Sequence, residues 1–261
     1  MNRALFNAAT GMKAQQLRID VTSNNLANVN TTGFKRSRAE FSDLLYQTMR
    51  APGSESTQGV VVPNGLQVGQ GVRTVGTARD LSVGETVTTS SPTDLMVRGA
   101  GYFQIIQPNG DIAFTRDGAF RLNNEGQLVN VDGFPLEPSI VIPNDAIDVT
   151  IADDGTVTVL RPNQPQGQIV GEIQLAMFAN PGGLRALGGN LFAQTTSSGI
   201  VQLTKPGQQG AGSITQGHLE GSNVSVVNEM VDLIVSQRAY DMNSKVISAA
   251  DEMLQAAVRL R

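Results

Sequence analysis

One histidine, no cysteine and a few short runs of Asp, Asn and Gly are the residues of this 261-residue chain that point toward chemistry. His218 stands alone, so a metal site needing two histidines is excluded. The lack of cysteine removes disulfides, thiol nucleophiles and Cys-ligated zinc. Counting does not exclude a Ser-His-Asp triad, yet no Gly-x-Ser-x-Gly surrounds any serine. Asp153-Asp154-Gly155 and Asn123-Asn124-Glu125-Gly126 have the composition of calcium loops but not the ligand spacing that ends in a bidentate Glu. Asx-Gly pairs of this kind are turn formers. Gly69-Gln70-Gly71 and Gly99-Ala100-Gly101 lack the third glycine of a dinucleotide loop, and no Walker A sequence occurs. Lys35, Arg36 and Arg38 form a basic cluster without interleaved aromatics, in a chain of net charge −4. It reads as a solvated or subunit-facing patch rather than a nucleic-acid site. No catalytic, cofactor-binding or metal-ligating residue is assigned, and the reading is of a protein that is not an enzyme.

The elements that hold these residues fall into four segments. Over residues 1–40, Leu5, Ala8, Met12, Gln15, Ile19, Thr22 and Leu26 recur at alternating spacings of three and four, predicting a helix over about 3–28. Residues 41–75 combine Pro, Gly and Ser with one apolar run and read as an extended arm. Residues 76–215 alternate short apolar segments with Asn109-Gly110, Asp117-Gly118, Asp132-Gly133 and similar pairs, the signature of strands and hairpins. In the last segment, 216–261, Val226, Leu233, Tyr240, Ile247 and Leu254 are spaced by seven. Met230, Gln237, Ser244, Asp251 and Val258 form a companion row. A helix over about 224–258 follows, with Ser222 and Asn223 as N-cap candidates. The fold class is α+β, mainly β: two long terminal helices pairing as a coiled-coil-like inner domain, plus an all-β outer domain of short hairpins. No apolar run approaches the ~18 residues of a membrane span. Lys13, Arg18 and Asp20 stand where a signal peptide would be apolar, so export without a cleavable signal peptide is expected.

Two strings carry a resemblance. "SNNLANVNTTGFKRSRAEFSDLLYQTMR" (23–50) and "EGSNVSVVNEMVDLIVSQRAYDMNSKVISAADEMLQ" (220–255) resemble the paired terminal motifs of the bacterial flagellar axial proteins, the rod, hook and hook-junction subunits. The middle is similar to the β domain shared by rod and hook proteins. Chain length and the 41–58 segment resemble distal-rod subunits, with proximal rod or hook-type subunits as the alternative within the family. A secreted β-rich enzyme acting on cell-wall glycan is the alternative from another class.

The resemblance implies a structural subunit that polymerises helically into the drive shaft of the flagellum and transmits torque to the hook across the periplasm. The implied partners are further copies of itself, proximal rod subunits, hook protein, the peptidoglycan- and outer-membrane-ring proteins and the flagellar export apparatus. Nucleic acid is not among them, and the chain is not expected to be an integral membrane protein. The N-terminal helix and its motif then supply assembly contacts through Leu5, Ala8, Met12, Ile19 and Leu26, with Asn24, Asn25, Asn28, Gly33, Phe34 and Lys35 following. On the C-terminal helix the contacts fall to Val226, Met230, Leu233, Gln237 and Arg238, then Tyr240, Asn243, Ile247 and Leu254. Leu44, Leu45 and Tyr46 serve in the arm, which the resemblance packs between neighbouring subunits. The helices line the tube and the β domain forms the outer layer.

Overall fold

A computed structural model describes residues 2–53, 55–57, 60–61, 64–162 and 164–259. Met1, Leu260 and Arg261 at the ends, Asn163, and Ser54, Gln58, Gly59, Val62 and Pro63 of the expected arm lie outside the described residues. The chain is α+β with two helices and many short strands. It divides into two compact units: residues 1–27, 37–78 and 225–261 form one, and residues 28–36 and 79–224 form the other. The arm thus belongs with the helices. A nine-residue strap directly after the first helix belongs with the β-rich unit.

In the first unit, α1 spans Asn2–Ala27 and α2 spans Val226–Arg259. The two pack antiparallel. Asn25 near the end of α1 meets Glu229 at the start of α2, Arg18 meets Asp232, and Gly11 faces Asn243. On α1 the packed row is the expected one, whereas on α2 the second packed row differs from the expected one by a rotation about the helix. On α2 the row spaced by seven from Leu233 to Leu254 is half-buried, apart from Tyr240, which lies at its edge. Its partner row is Glu229, Ser236, Asn243 and Ala250, not Met230, Gln237, Ser244, Asp251 and Val258, which are exposed. On α1 Ala8, Ala14, Thr22 and Asn25 are buried, with Leu5, Gly11, Met12, Gln15, Ile19 and Leu26 half-buried beside them.

Gly11 lies against the Asn243 side chain: a Cβ there would meet the Asn243 amide nitrogen at 3.0 Å, so a larger residue at this point of the seam would displace that side chain. α2 starts where the Ser225 carbonyl accepts the first helical bond from Glu229 N–H, which makes Ser225 the N-cap rather than Ser222 or Asn223. The arm is a ladder of strand Ser37–Asp43 with Val72–Arg79, extended by Gln47–Arg50 with Leu66–Val68. No helix among the described residues is long and apolar enough to cross a membrane.

The β-rich unit centres on a five-stranded antiparallel sheet, in the order Leu136–Glu137, Phe103–Ile106, Ile112–Thr115, Leu191–Ala193, Arg185–Gly188. A three-stranded sheet of Asp148–Ile151, Thr156–Arg161 and Gln164–Glu172 accompanies it. Both contribute to one core that includes Leu95, Phe103, Phe120, Leu136, Val157, Ile173 and Ile214, each at most 1% exposed. Phe103 meets Phe120 edge-on at 5.2 Å, an arrangement worth about 0.5–1.5 kcal/mol beyond area burial. Two late strands close the unit by returning to its beginning: Ser213–Gln216 pairs with Leu95–Arg98, and His218–Glu220 with Thr86–Thr88.

The candidate chemical residues resolve into turn chemistry here. Asn123 Oδ1 accepts from Glu125 and Gln127 N–H, and Asp154 Oδ1 accepts from Thr156 N–H. His218 Nδ1 lies 2.8 Å from the Gln216 carbonyl. Among the described residues no three His, Cys, Asp or Glu side chains gather as a metal site.

Candidate assembly interface

Two buried polar joints hold the terminal motifs, one in each unit. In the helical unit Asn25 is 1% exposed and its amide is used on both sides. Nδ2 donates to the Ser37 carbonyl at 2.7 Å and to Glu229 Oε2 at 3.0 Å, while Oδ1 accepts from Ser37 N–H at 3.0 Å. One amide therefore fixes the end of α1, the first residue of the arm and the first turn of α2. Asparagine suits the position because it donates and accepts from the same short side chain. Asn25→Ala leaves both backbone groups of Ser37 without this partner and is expected to cost about 1–3 kcal/mol, read as a lower denaturant midpoint for loss of helicity.

In the β-rich unit the strap carries Lys35 into a pocket where it is 4% exposed. Its ammonium donates to the Ser82 carbonyl at 2.6 Å and to Glu220 Oε1. Glu220 is fully buried and also accepts from Gly84 N–H at 3.1 Å. Arg116, equally buried, stands 3.5 Å from Glu220 Oε2 and donates to the carbonyls of Val97 and Gly99. Burial is the main influence on Lys35 and depresses its ammonium pKa. Glu220 opposes that shift, and Arg116 adds to it.

The strap's own backbone is pinned along its length. Gly33 N–H donates to the Glu220 carbonyl at 2.7 Å, Asn190 Nδ2 to the Thr32 carbonyl at 3.0 Å, and Arg36 N–H to Asn223 Oδ1 at 2.7 Å. Gly33 has φ +67°, and a Cβ there would lie 2.7 Å from the backbone nitrogen of Asp117. Only glycine combines that conformation with that approach.

The basic cluster is therefore not a surface patch. Lys35 is consumed inside the subunit, while Arg38 pairs with Glu40 at the surface. Asn25, Gly33 and Lys35, expected at an interface, are all buried within the subunit. Asn24 is exposed in the last turn of α1, Asn28 follows the helix and its Oδ1 accepts from Thr31 Oγ1, and Phe34 is half-buried. Asn223, a helix-cap candidate from sequence, instead donates to the Asp80 and Ser82 carbonyls, and its Oδ1, which accepts from Arg36 N–H, ties the return segment to the strap.

Asp80 anchors the same corner. The Ser82 N–H that its carboxylate accepts holds its pKa below the ordinary value. A carboxylate depressed on folding adds stability above its unfolded pKa and loses it as pH falls through the folded value. Asp80→Asn should therefore narrow the difference between denaturant midpoints measured at about pH 5 and about pH 3.

What remains outward-facing is apolar. On the side of α2 away from α1, Val227 (70% exposed), Val231, Ile234 (55%) and Val235 form an exposed apolar cluster, and Met242, Val246 and Met253 continue it as a stripe beside the exposed Arg238, Lys245 and Glu252. In the arm, Leu45 is 88% exposed, with Tyr46, Met49 and Leu66 also open to solvent, while Leu44 is half-buried.

Comparison with known proteins accounts for this arrangement. Three family descriptions match the chain: "Flagella basal body rod protein" over residues 5–35, "Flagellar hook protein FlgE/F/G D1 domain" over 96–159, and "Flagellar basal body rod FlgEFG protein C-terminal" over 215–260. The chain is 52% identical to the flagellar basal-body rod protein FlgG of Caulobacter vibrioides, covering 99% of both chains. It is 43% identical to that of Borreliella burgdorferi, covering 100% of this chain and 99% of the relative. With that of Bacillus subtilis the identity is 39%, covering both chains fully. The chain belongs to the FlgG family of flagellar basal-body rod proteins.

Membership in the FlgG family makes this a structural subunit of the flagellar basal body and not an enzyme. Each of the three matched regions supplies one member of the buried cluster: Lys35 from the first, Arg116 from the second, Glu220 from the third. Sequence reasoning named Lys35 as an interface residue and did not name Arg116 or Glu220. The two ends of the Lys35–Glu220 pair are 185 positions apart, and no local periodicity connects them.

Proposed function

We propose that this subunit polymerises helically into the distal part of the flagellar rod, with the helix pair as its principal assembly element. The apolar stripe on the outer side of α2 carries the reading. Each such side chain is worth about 1.5–3 kcal/mol when fully buried, and a patch of this size on a soluble subunit marks an interaction surface. A contact between different faces of identical copies does not close on itself, and so propagates as a helix.

In this reading the expected interface residues divide by role. Val226, Met230, Gln237 and Arg238 face other copies. Leu233, Tyr240, Asn243, Ile247 and Leu254 hold the α1–α2 seam in a coiled-coil-like pairing, and Leu5, Met12, Ile19 and Leu26 flank that seam. Leu45 and Tyr46 of the arm extend the contact to neighbours, stiffening the shaft. The polymer transmits torque to the hook through the periplasm and the ring bushings, joining proximal rod subunits at one end and hook protein at the other. The export apparatus delivers the subunit without a cleavable signal peptide.

Electron microscopy of basal bodies from cells lacking this protein tests the reading. A rod truncated before its distal part, without a hook, is expected. Complete hook-basal bodies in those cells would exclude it, and a rod missing its proximal part would reassign the subunit within the shaft.

A further inference from the structure

The strap is the one part of the β-rich unit that precedes the unit's continuous stretch in sequence, and it lies at the point where that stretch ends. Residues 28–36 reach Ser82, Asp117, Asn190, Glu220 and Asn223, while strands Ser213–Gln216 and His218–Glu220 return to pair near the unit's beginning. The two segments meet at Lys35–Glu220 and at Arg36–Asn223. Glu220 is fully buried with the strap docked, and without Lys35 that closed site would hold it by Gly84 N–H and an arginine 3.5 Å from an Oε2 that accepts no hydrogen bond. An under-compensated carboxylate in a dry site opposes closure.

We propose that this joint is a closure latch. The β-rich unit reaches its closed, exchange-protected form only when the strap before it and the return segment after it are docked together. Chains emerge N-terminus first, so the strap is made early and waits for residues 213–223. A chain still being made or threaded, or one lacking either end, holds the β-rich unit open. Only a complete subunit then presents a finished β-rich unit for assembly.

Hydrogen exchange on the full-length protein tests the latch through two variants that leave Lys35, Glu220 and Arg116 in place. Gly33→Val drives a side chain into the Asp117 backbone and unseats the strap. Protection at Phe103 and Val157, in the five- and three-stranded sheets, should fall on the order of 100-fold, while Ala14 and Ser236 in the helix pair keep theirs. Asn190→Gly is the mild variant: φ at this position is +59°, which glycine adopts without strain, and only the hydrogen bond to Thr32 is lost. It should speed exchange about five-fold at Phe103 and at Gly84, beyond the site of change. Loss of protection confined in both variants to residues touching the substituted position would overturn the latch. If Gly33→Val does not fold, Asn190→Gly alone decides between the two outcomes.

Discussion

Ile234→Asp yields a folded subunit that does not assemble. Ile234 is 55% exposed on the outer side of α2, so the isolated subunit gains no buried charge, and its stability should stay within about 0.5 kcal/mol of wild type. In the polymer proposed above, another copy covers the same position. An uncompensated carboxylate there costs several kcal/mol at every repeat, and cells carrying the variant should be non-motile without hook-basal bodies. Leu233→Asp, one residue away, gives the complementary result. Leu233 is half-buried in the α1–α2 seam, so helicity and thermal midpoint should fall in the subunit itself. Circular dichroism separates the two variants before any assembly assay. Wild-type motility with Ile234→Asp would mean that the stripe is covered by nothing.

Lys35→Met is expected to destabilise the β-rich unit by about 3–5 kcal/mol, the usual consequence of removing one partner of a buried pair. Glu220 is then left in a fully buried site with Gly84 N–H and Arg116 at 3.5 Å. The double variant Lys35→Met/Glu220→Gln should be less destabilised than the sum of the single changes, because the charge that Lys35 compensated is gone. A coupling of about 1–3 kcal/mol is the range for residues in one network. Denaturant titration followed through the β-rich unit measures all three variants. Additive effects would show that the pair contributes volume rather than charge compensation. Lys35→Arg is not a conservative control here, since a planar guanidinium must fit where a single ammonium reaches both Ser82 and Glu220.

These two outcomes mark where sequence reading succeeded and where it ended. Helices at 3–28 and 224–258 were legible because amphipathic spacing is local, and the observed spans Asn2–Ala27 and Val226–Arg259 lie within two residues of them at each end. The Asx-Gly turns were legible for the same reason, since one residue's side chain bonds its own neighbours, as at Asn123 and Asp154. The row from Leu233 to Leu254 was identified, but its partner row was not. Apolar content drew the pattern toward Met230 and Val258, whereas the residues buried beside that row are Ser236 and Ala250. An amphipathic pattern says that a face is covered; it does not say by what. In this chain the Leu233–Leu254 row meets the other helix together with small and polar residues, and part of the apolar surface stays outside.

The four asparagines at the end of α1 and just beyond it, Asn24, Asn25, Asn28 and Asn30, show the same division. Their number in so short a stretch marks a helix end by elementary propensity. Which of them is buried depends on Ser37 and Glu229, the latter 204 positions away. The sequence by itself determined the α+β class, the positions of the helices and turns, and, through its terminal motifs, the family. Only the tertiary structure decided that Asn25 bridges three segments, that Lys35 turns inward to Glu220 and Ser82, and that the strap belongs to the β-rich unit. Local elements arise from interactions a few residues long, whereas burial of a charge depends on which distant carboxylate the fold delivers to it.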